Sequence, residues 1–253
     1  LVPREEVLVG PQIDGLRITY LLVDEGDRVE DGQVLAQLSR TTLEAQLAQN
    51  AASLAKANAA IEQARSQISE AEATLKKAKE AFDRIKPLLK SGAASQATYD
   101  EREALYRTAN ARLQAARDGL QLAEADKRLI EAQRQELEVK LGFTEIRTPE
   151  GGLIARRNAR VGAVSSAAAE SLFRIIKDGE VELAAEVPEF YMPKLAPGQK
   201  AKVSVAGVGE REGKVRLVSP EVDPQTRLGR VRILLGDDPA LRVGSFARGV
   251  ISA

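Results

Sequence analysis

The chain has 253 residues, with 37 Lys plus Arg balanced by 37 Asp plus Glu and a formal net charge of zero; a general nucleic-acid binder would show a basic excess, so nucleic acid is not an expected partner. It contains no His, no Cys and a single Met, Met192, which removes His-based acid–base catalysis, Ser-His-Asp and Cys-His nucleophile systems, and ordinary zinc or copper sites. Apolar residues make up 43% but aromatics only 4%, and an apolar share carried by Ala, Leu, Val and Ile points to long helices or a coiled coil.

The length suggests two or three folded units. Without cysteine the redox compartment cannot be read. No apolar run approaches the ~18 residues of a membrane span. The first residue is Leu1 rather than Met, so a signal peptide or membrane anchor is expected outside the sequence. Leu1-Val2-Pro3-Arg4 resembles a thrombin-site remnant, although no Gly-Ser follows.

Residues 1–40 carry short β-branched runs, Ile18–Val23 and Gln33–Ala36, separated by the turn signals Gly26-Asp27 and Asp31-Gly32. From Thr41 to Leu141 the texture changes. The series Leu43, Leu47, Asn50, Leu54, Ala57, Ile61, Ala64, Ile68, Ala71, Leu75, Ala78, Phe82, Ile85, Leu89 steps alternately by four and three, a heptad seam with one polar interruption at Asn50. Thr41 and Glu44 have the spacing of a capping box that would start the helix. A helix from Thr41 to Lys90 would reach roughly 75 Å and needs a partner along its length. Pro87 should kink or end it near its far end.

Ser91-Gly92-Ala93-Ala94-Ser95 breaks the pattern, with Gly92 suited to a left-handed cap and Ser95 to an N-cap. A second series comes next: Tyr99, Arg102, Tyr106, Ala109, Leu113, Ala116, Leu120, Ala123, Lys127, Ile130, Arg134, Leu137, Leu141. Two helices of similar length joined by a short turn fold back antiparallel. The polar seam residues Asn50, Arg102, Lys127 and Arg134 could set register or snorkel to water. From Phe143 the β texture returns, with runs at Ile146–Pro149, Gly151–Ile154, Arg160–Val164 and Leu172–Ile176. Strands are then expected at Val181–Val187, Lys200–Val205, Gly213–Val218, Arg230–Leu235 and Ala247–Ile251, the spacing of a small antiparallel barrel or sandwich. A helical hairpin has its ends together and can be inserted into a β domain without disturbing it.

Glu25-Gly26-Asp27-x-Val29-x-x-Gly32-Gln33-x-Leu35-Ala36 resembles the first half of a biotinyl/lipoyl-like domain. Ile146-Arg147-Thr148-Pro149-x-x-Gly152-x-Ile154, followed by Val161-Gly162 and Val164-Ser165, resembles the second half. Glu186-Val187-Pro188-Glu189, Leu195-x-x-Gly198-Gln199 and Val218-Ser219-Pro220-x-Val222-Asp223-x-x-Thr226-Arg227 are similar to the β-barrel of periplasmic adaptor (membrane fusion) proteins that serve resistance-nodulation-division (RND) efflux pumps. The resemblance covers nearly the whole chain. It implies an elongated α+β fold: a lipoyl-like β domain split into 10–40 and 142–178, an antiparallel coiled-coil hairpin at 41–141, and a small antiparallel β-barrel from 1–9 and 179–253. The family's membrane-proximal domain is not covered. The modifiable Lys of true carrier domains is displaced by residues 41–141, which argues against a biotin or lipoyl carrier subunit.

The implied role is non-enzymatic and needs no cofactor or metal. It is that of a periplasmic subunit, attached to the inner membrane through a segment outside this sequence, that links an inner-membrane RND transporter to an outer-membrane channel for export of drugs or toxic small molecules, and that assembles with itself as a hexamer, in which Asn50, Arg102, Lys127 and Arg134 could face neighbouring copies. An adaptor for an ABC-type exporter or type I secretion is the alternative; a coiled-coil scaffold without transport is another. The lack of His, Cys and a Met cluster weighs against metal delivery.

Arg84, Leu88 and Ser95 match an Arg-x3-Leu-x6-Ser pattern that in this family marks contact with the outer-membrane channel. Ile85 and Leu89 hold the seam, so Leu88 falls on its flank, open to a partner; Arg84 can donate several hydrogen bonds. The plainer alternative is that Leu88 closes the core, Ser95 only caps, and Arg84 is solvated. Thr226 and Arg227 are the pump-side candidates by the same resemblance, or simply a turn. The acidic stretches Glu101–Glu103 and Glu131–Glu138 read as solvated helix faces, and Gly151-Gly152 lacks the Lys-Ser/Thr of a phosphate loop.

Overall fold

The computed structural model describes residues 1–166, 168 and 170–252. Ala167 and Ala169, within the expected 142–178 span, and Ala253, the last residue of the expected barrel, lie outside the described residues. Among the described residues the order is β1 (Val2–Pro3), β2 (Glu6–Val9), β3 (Ile18–Leu21), β4 (Arg28–Val29), β5 (Val34–Leu38), α1 (Thr41–Lys90), α2 (Gln96–Gly142), β6 (Glu145–Arg147), β7 (Gly152–Arg157), β8 (Phe173–Lys177), β9 (Val181–Pro188), a 3-10 helix (Glu189–Lys194), β10 (Lys200–Val205), β11 (Gly209–Val222), β12 (Leu228–Gly236) and β13 (Ala247–Ile251). The residues divide into two units, Arg40–Leu141 and Leu1–Ser39 with Gly142–Ala253.

The helical unit is a two-stranded antiparallel pair. Every position of the first heptad series, Leu43 to Leu89, is buried or half-buried, as is every position of the second except Arg134. Contacts across the pair run in opposite senses. Asn50 meets Ile130, Glu72 meets Arg117 at 3.4 Å, and Phe82 meets Tyr106 and Tyr99. Ala57, Ile61, Ala64, Ala109 and Leu113 are among the buried residues; small side chains facing larger ones let the helices interdigitate.

The start of α1 differs from expectation. Arg40, not Thr41, is the N-cap, with no side-chain cap bond. Glu44 donates its N–H to the Arg40 carbonyl at 2.9 Å, and its carboxylate turns back to the Arg40 guanidinium at 3.5 Å. The chain therefore enters the helix one residue earlier than a capping box allows, and Glu44 is engaged with a cation instead of an orphan amide. Pro87 does not end α1 either: the helix passes through it to Lys90. In the last turn a missing N–H costs one carbonyl partner, and it is the glycine turn beyond Lys90 that stops the helix.

In the β unit a four-stranded sheet, β2-β8-β7-β4, and a three-stranded sheet, β3-β5-β6, share one core. Val9, Ile18, Val29, Leu35, Ile154 and Phe173 belong to it. Strands from before and after the helical insertion interleave: β4 pairs with β7 (Arg28 opposite Leu153), and β5 with β6 (Val34 opposite Arg147). Neither half can bury its apolar face alone, so this is a split lipoyl-like β domain with a hairpin inserted in its sequence. Gly152 is required where β7 meets β8, because a Cβ there would lie 2.1 Å from the Ile176 carbonyl oxygen. The expected run at Arg160–Val164 is not a strand; it is a turn about Gly162 with a single bridge, Arg17 to Val164. Ser165 then ties the segment down, donating to the Ile13 carbonyl at 2.8 Å and accepting the Leu16 N–H at 3.1 Å.

The remaining strands form a six-stranded antiparallel sheet in the order β1-β9-β12-β11-β10-β13. Its curl brings Gly249 of β13 against Leu183 of β9 and Ile233 of β12, giving a small half-barrel around Val181, Val203, Val215, Val231 and Ile233. β10 alternates strictly, with Ala201, Val203 and Val205 buried and Lys200, Lys202 and Ser204 exposed. Leu1 packs into this core and Val2–Pro3 pair with Val181 and Glu182, so the first residues form part of the sheet. Glu182, 1% exposed, takes two hydrogen bonds from Arg216, one of them Nη2 to Oε2 at 3.1 Å. Arg216 sits at a register shift between Val215 and Leu217, where a bulge re-aims a side chain.

Candidate functional site: the hairpin tip and the barrel turn

α1 ends because Gly92 adopts φ 76°. The Gly92 N–H donates to the Leu89 carbonyl at 3.1 Å and the Ala93 N–H to the Leu88 carbonyl at 2.9 Å, the pairing of a Schellman motif that only a residue tolerant of positive φ closes cheaply. The Leu88 carbonyl also accepts from Ala94 N–H and the Ser91 hydroxyl. The backbone of Leu88 is thus fixed by the turn while its side chain stays 45% exposed. It does not close the core.

Arg84, one helical turn before Leu88 and so on the same side of α1, is exposed. Ser95 opens α2: its hydroxyl accepts the Thr98 N–H at 3.2 Å and lies 3.0 Å from the Thr98 hydroxyl, and its carbonyl accepts the Tyr99 N–H at 3.2 Å. The Ser95 side chain is therefore an N-cap and remains exposed. Leu88 and Ser95 flank the capped turn and Arg84 lies one helical turn earlier in α1; they offer an apolar side chain, a hydroxyl and a guanidinium.

Thr226 and Arg227 lie in the other unit, in the turn between β11 and β12. The Asp223 carboxylate accepts the N–H groups of Gln225 at 2.8 Å and Thr226 at 3.1 Å, and these bonds hold its pKa below the usual Asp range. Arg227 has φ 57°, a left-handed conformation that costs a non-glycine residue about 1–2 kcal/mol and is held by neighbours. Its N–H donates to the Asp223 carbonyl at 2.8 Å, its carbonyl accepts the Glu189 N–H at 3.1 Å, and its exposed guanidinium pairs with Glu189 at 3.2 Å. On the same 3-10 helix as Glu189, Phe190 and Tyr191 remain 65% and 45% exposed. Sequence reading missed this aromatic pair; two adjacent rings in an aromatic-poor chain were the available signal.

The polar seam residues divide. Asn50 donates to the Ile130 carbonyl across the hairpin at 3.1 Å, whereas Lys127 and Arg134 pair within α2, with Glu131 at 3.6 Å and Glu138 at 2.8 Å. Arg102 is half-buried and lines a cleft of about 340 Å³ with Thr74, Ala78 and Leu105. Among the described residues no group of His, Cys, Asp or Glu could hold a metal ion.

Residues 5–176 match the family described as RND MFP, barrel-sandwich hybrid domain, and residues 180–253 match the CusB-like, beta-barrel domain. The chain belongs to the periplasmic adaptor, or membrane fusion protein, family of RND-type efflux systems. Similar solved structures include MacA from Actinobacillus actinomycetemcomitans, at 20% identity over 99% of this chain and 75% of that one with a TM-score of 0.60. ZneB from Cupriavidus metallidurans is 26% identical over 98% and 92%, with a TM-score of 0.50. A MacA–MexA chimera carrying the Pseudomonas aeruginosa MexA α-hairpin domain is 20% identical over 99% and 78%, with a TM-score of 0.54. The two likenesses at 20% bear on the fold alone. No curated protein matches the chain. Family membership makes this a non-enzymatic adaptor that works in efflux. Among the described residues of the adaptor, no helix is long and apolar enough to cross a membrane.

Proposed function

We propose that the adaptor links an inner-membrane RND transporter to an outer-membrane channel, in the periplasm and attached to the inner membrane, for export of drugs or other toxic small molecules. The hairpin of residues 41–141 reaches the channel; the split β domain of 10–40 and 142–178 also takes in Glu6–Val9, expected in the barrel but paired with β8; and the barrel, built from β1 and 179–253, faces the pump. The observation that carries the reading is Leu88: an apolar side chain, 45% exposed, in the capped last turn of α1, between an exposed Arg84 and an exposed Ser95 in the chain. Such a group gains from burial only when a partner covers it, and a guanidinium and a hydroxyl beside it recognise the carbonyls of a helical tip. On the pump side, Thr226 and Arg227 stand on a turn pinned by Asp223 and Glu189. The match of residues 180–253 to an RND-type barrel supports an RND transporter over an ABC exporter. A hexamer would close the conduit; no bond is made or broken by the adaptor.

Residues 1–253 contain no cysteine, so Ser95→Cys gives the one thiol of this stretch for a photo-crosslinker in the full-length protein in its native envelope, with any cysteine outside it replaced. Capture of an outer-membrane channel protein is the expected result. Crosslinks only to other copies of the adaptor, with the pump present and the protein folded, would remove the outer-membrane half of the proposal.

A further inference from the structure

The heptad seam is built from Ala, Leu and Ile along most of its length, and a seam position needs nothing larger. At the tip end it changes character. Three of the chain's few rings converge there: Phe82, 8% exposed, lies 5.6 Å from Tyr106 with the ring planes 10° apart and 5.3 Å from Tyr99 in a tilted arrangement. Lys86 closes the cluster from outside, its Nζ 4.3 Å from the Phe82 centroid and 3.0 Å from the Asp83 carboxylate. Offset and tilted rings at these separations attract one another beyond their burial, and a cation over a ring face adds to it.

The cluster stands immediately before the docking segment. The next eight residues of α1, Asp83 to Lys90, carry Arg84 and Leu88, and they contain Pro87. Proline has no N–H, so the Asp83 carbonyl lacks its usual intrahelical donor in this stretch. The segment is capped beyond by the Gly92 turn and the Ser95 N-cap. Its lower end has a weakened ladder, and the ring cluster sits directly beneath it.

We propose that Phe82, Tyr99 and Tyr106 form a clasp, gripped by Lys86 of the adjoining segment, that positions residues 83–90, so that Arg84 and Leu88 are presented to the channel as a rigid surface rather than as a fraying helix end. This rests on the proposed docking role of the tip. The clasp residues are positioning residues; they stand below the docking surface, where the two helices of the hairpin are tied together. The preorganised tip avoids paying the ordering of a helix end at each docking event.

The test uses the full chain with nitroxides on Arg65→Cys and Lys90→Cys, which lie roughly 37 Å apart along α1 at helical rise, and in parallel the Ser95→Cys crosslinker in native envelopes. Phe82→Ala should broaden the 65–90 distance distribution at least twofold and cut channel capture at least fivefold. Overall helix content, read by circular dichroism, should be nearly unchanged. Tyr106→Phe, which keeps the stacked ring, should leave both readouts at the unsubstituted values, whereas Tyr106→Ala should reproduce the Phe82→Ala defect; this second pair serves if Phe82→Ala fails to fold. An unchanged distance distribution in Phe82→Ala and Tyr106→Ala overturns the clasp. A broadened distribution with undiminished capture overturns its role in positioning. If the unsubstituted ring cluster gives a narrow distribution yet captures no channel, the docking reading itself fails, and the positioning proposal falls with it.

Discussion

The side-chain amide of Asn50 donates to the Ile130 carbonyl across the helical hairpin at 3.1 Å, while its own Oδ1 is buried without a partner among the described residues. One bond ties the two helices in a single register, and the unmatched oxygen makes that tie costly.

Asn50→Leu should therefore raise stability and lower specificity at once. Removing a buried unsatisfied carbonyl gains about 1–3 kcal/mol, and a Leu completes the seam. Thermal melting should shift upward, while disulfide mapping between cysteines introduced on α1 and α2 should show more than one register. A lower melting temperature, or a single unchanged register, would count against the role given to Asn50.

Glu182 and Arg216 make an unequal pair, since Glu182 is 1% exposed and the Arg216 side chain 37%. Glu182→Ala leaves an arginine that can turn to water and should cost about 1–3 kcal/mol. Arg216→Ala leaves a buried carboxylate without its partner and should cost about 3–5 kcal/mol. Urea unfolding of the two variants tests the order; equal losses would contradict it.

Two glycines should respond in opposite directions to alanine. Gly119 lies within α2, and a Cβ there would meet nothing within 4 Å, so Gly119→Ala should stabilise the hairpin by about 1 kcal/mol. Gly152→Ala would drive a methyl into the Ile176 carbonyl and should disrupt the β7–β8 pairing. Solubility and the amide spectrum of residues 152–157 report the second, thermal melting the first.

Acid should loosen the turn that carries Thr226 and Arg227. Asp223 has its pKa lowered, chiefly by the backbone N–H groups of Thr226 and Gln225. A carboxylate whose folded pKa lies below its unfolded value stabilises the fold fully above the ordinary Asp range and loses that contribution as pH falls through the lowered value. Hydrogen exchange at Gln225 and Thr226 should accelerate on acidification beyond the intrinsic rate change, and Asp223→Asn should weaken their protection at neutral pH.

The helical hairpin was legible in the sequence because its period is local: each seam residue from Leu43 to Leu89 can be named by counting fours and threes, and each is at least half-buried. Its cap at Arg40 was not, because Arg40 makes no side-chain cap bond and belongs to no capping residue type. The strand edges were less clear. Gly213–Val218 grew to Gly209–Val222 because pairing with β10 and β12 extends it at both ends, information that lies in other strands. Arg160–Val164 carries β-branched residues yet forms a turn, since Gly162 at φ 88° decides the backbone there. At the tip, the family resemblance named Arg84, Leu88 and Ser95 and the sequence already suited Ser95 to an N-cap, but only the fold reveals that Leu88 is uncovered. The rings of Phe82, Tyr99 and Tyr106 were visible as seam letters; their convergence needed the register of the pair.

The interleaving of β4 with β7 and β5 with β6 sets an order of events during synthesis. When β5 leaves the ribosome or the secretion machinery, the strand it must pair with does not yet exist. About a hundred residues separate Leu38 from Thr144, and closing so long a flexible loop is slow and entropically costly. The intervening residues, however, fold by near-neighbour contacts, and an antiparallel helix pair returns the chain to where it began. The Leu38 N–H can then find the Thr144 carbonyl, 2.8 Å away in the finished protein, as though the loop were a few residues long. Until that moment the apolar faces of β3 and β5 are exposed, so the nascent adaptor is most vulnerable to aggregation and proteolysis while its hairpin is still being made.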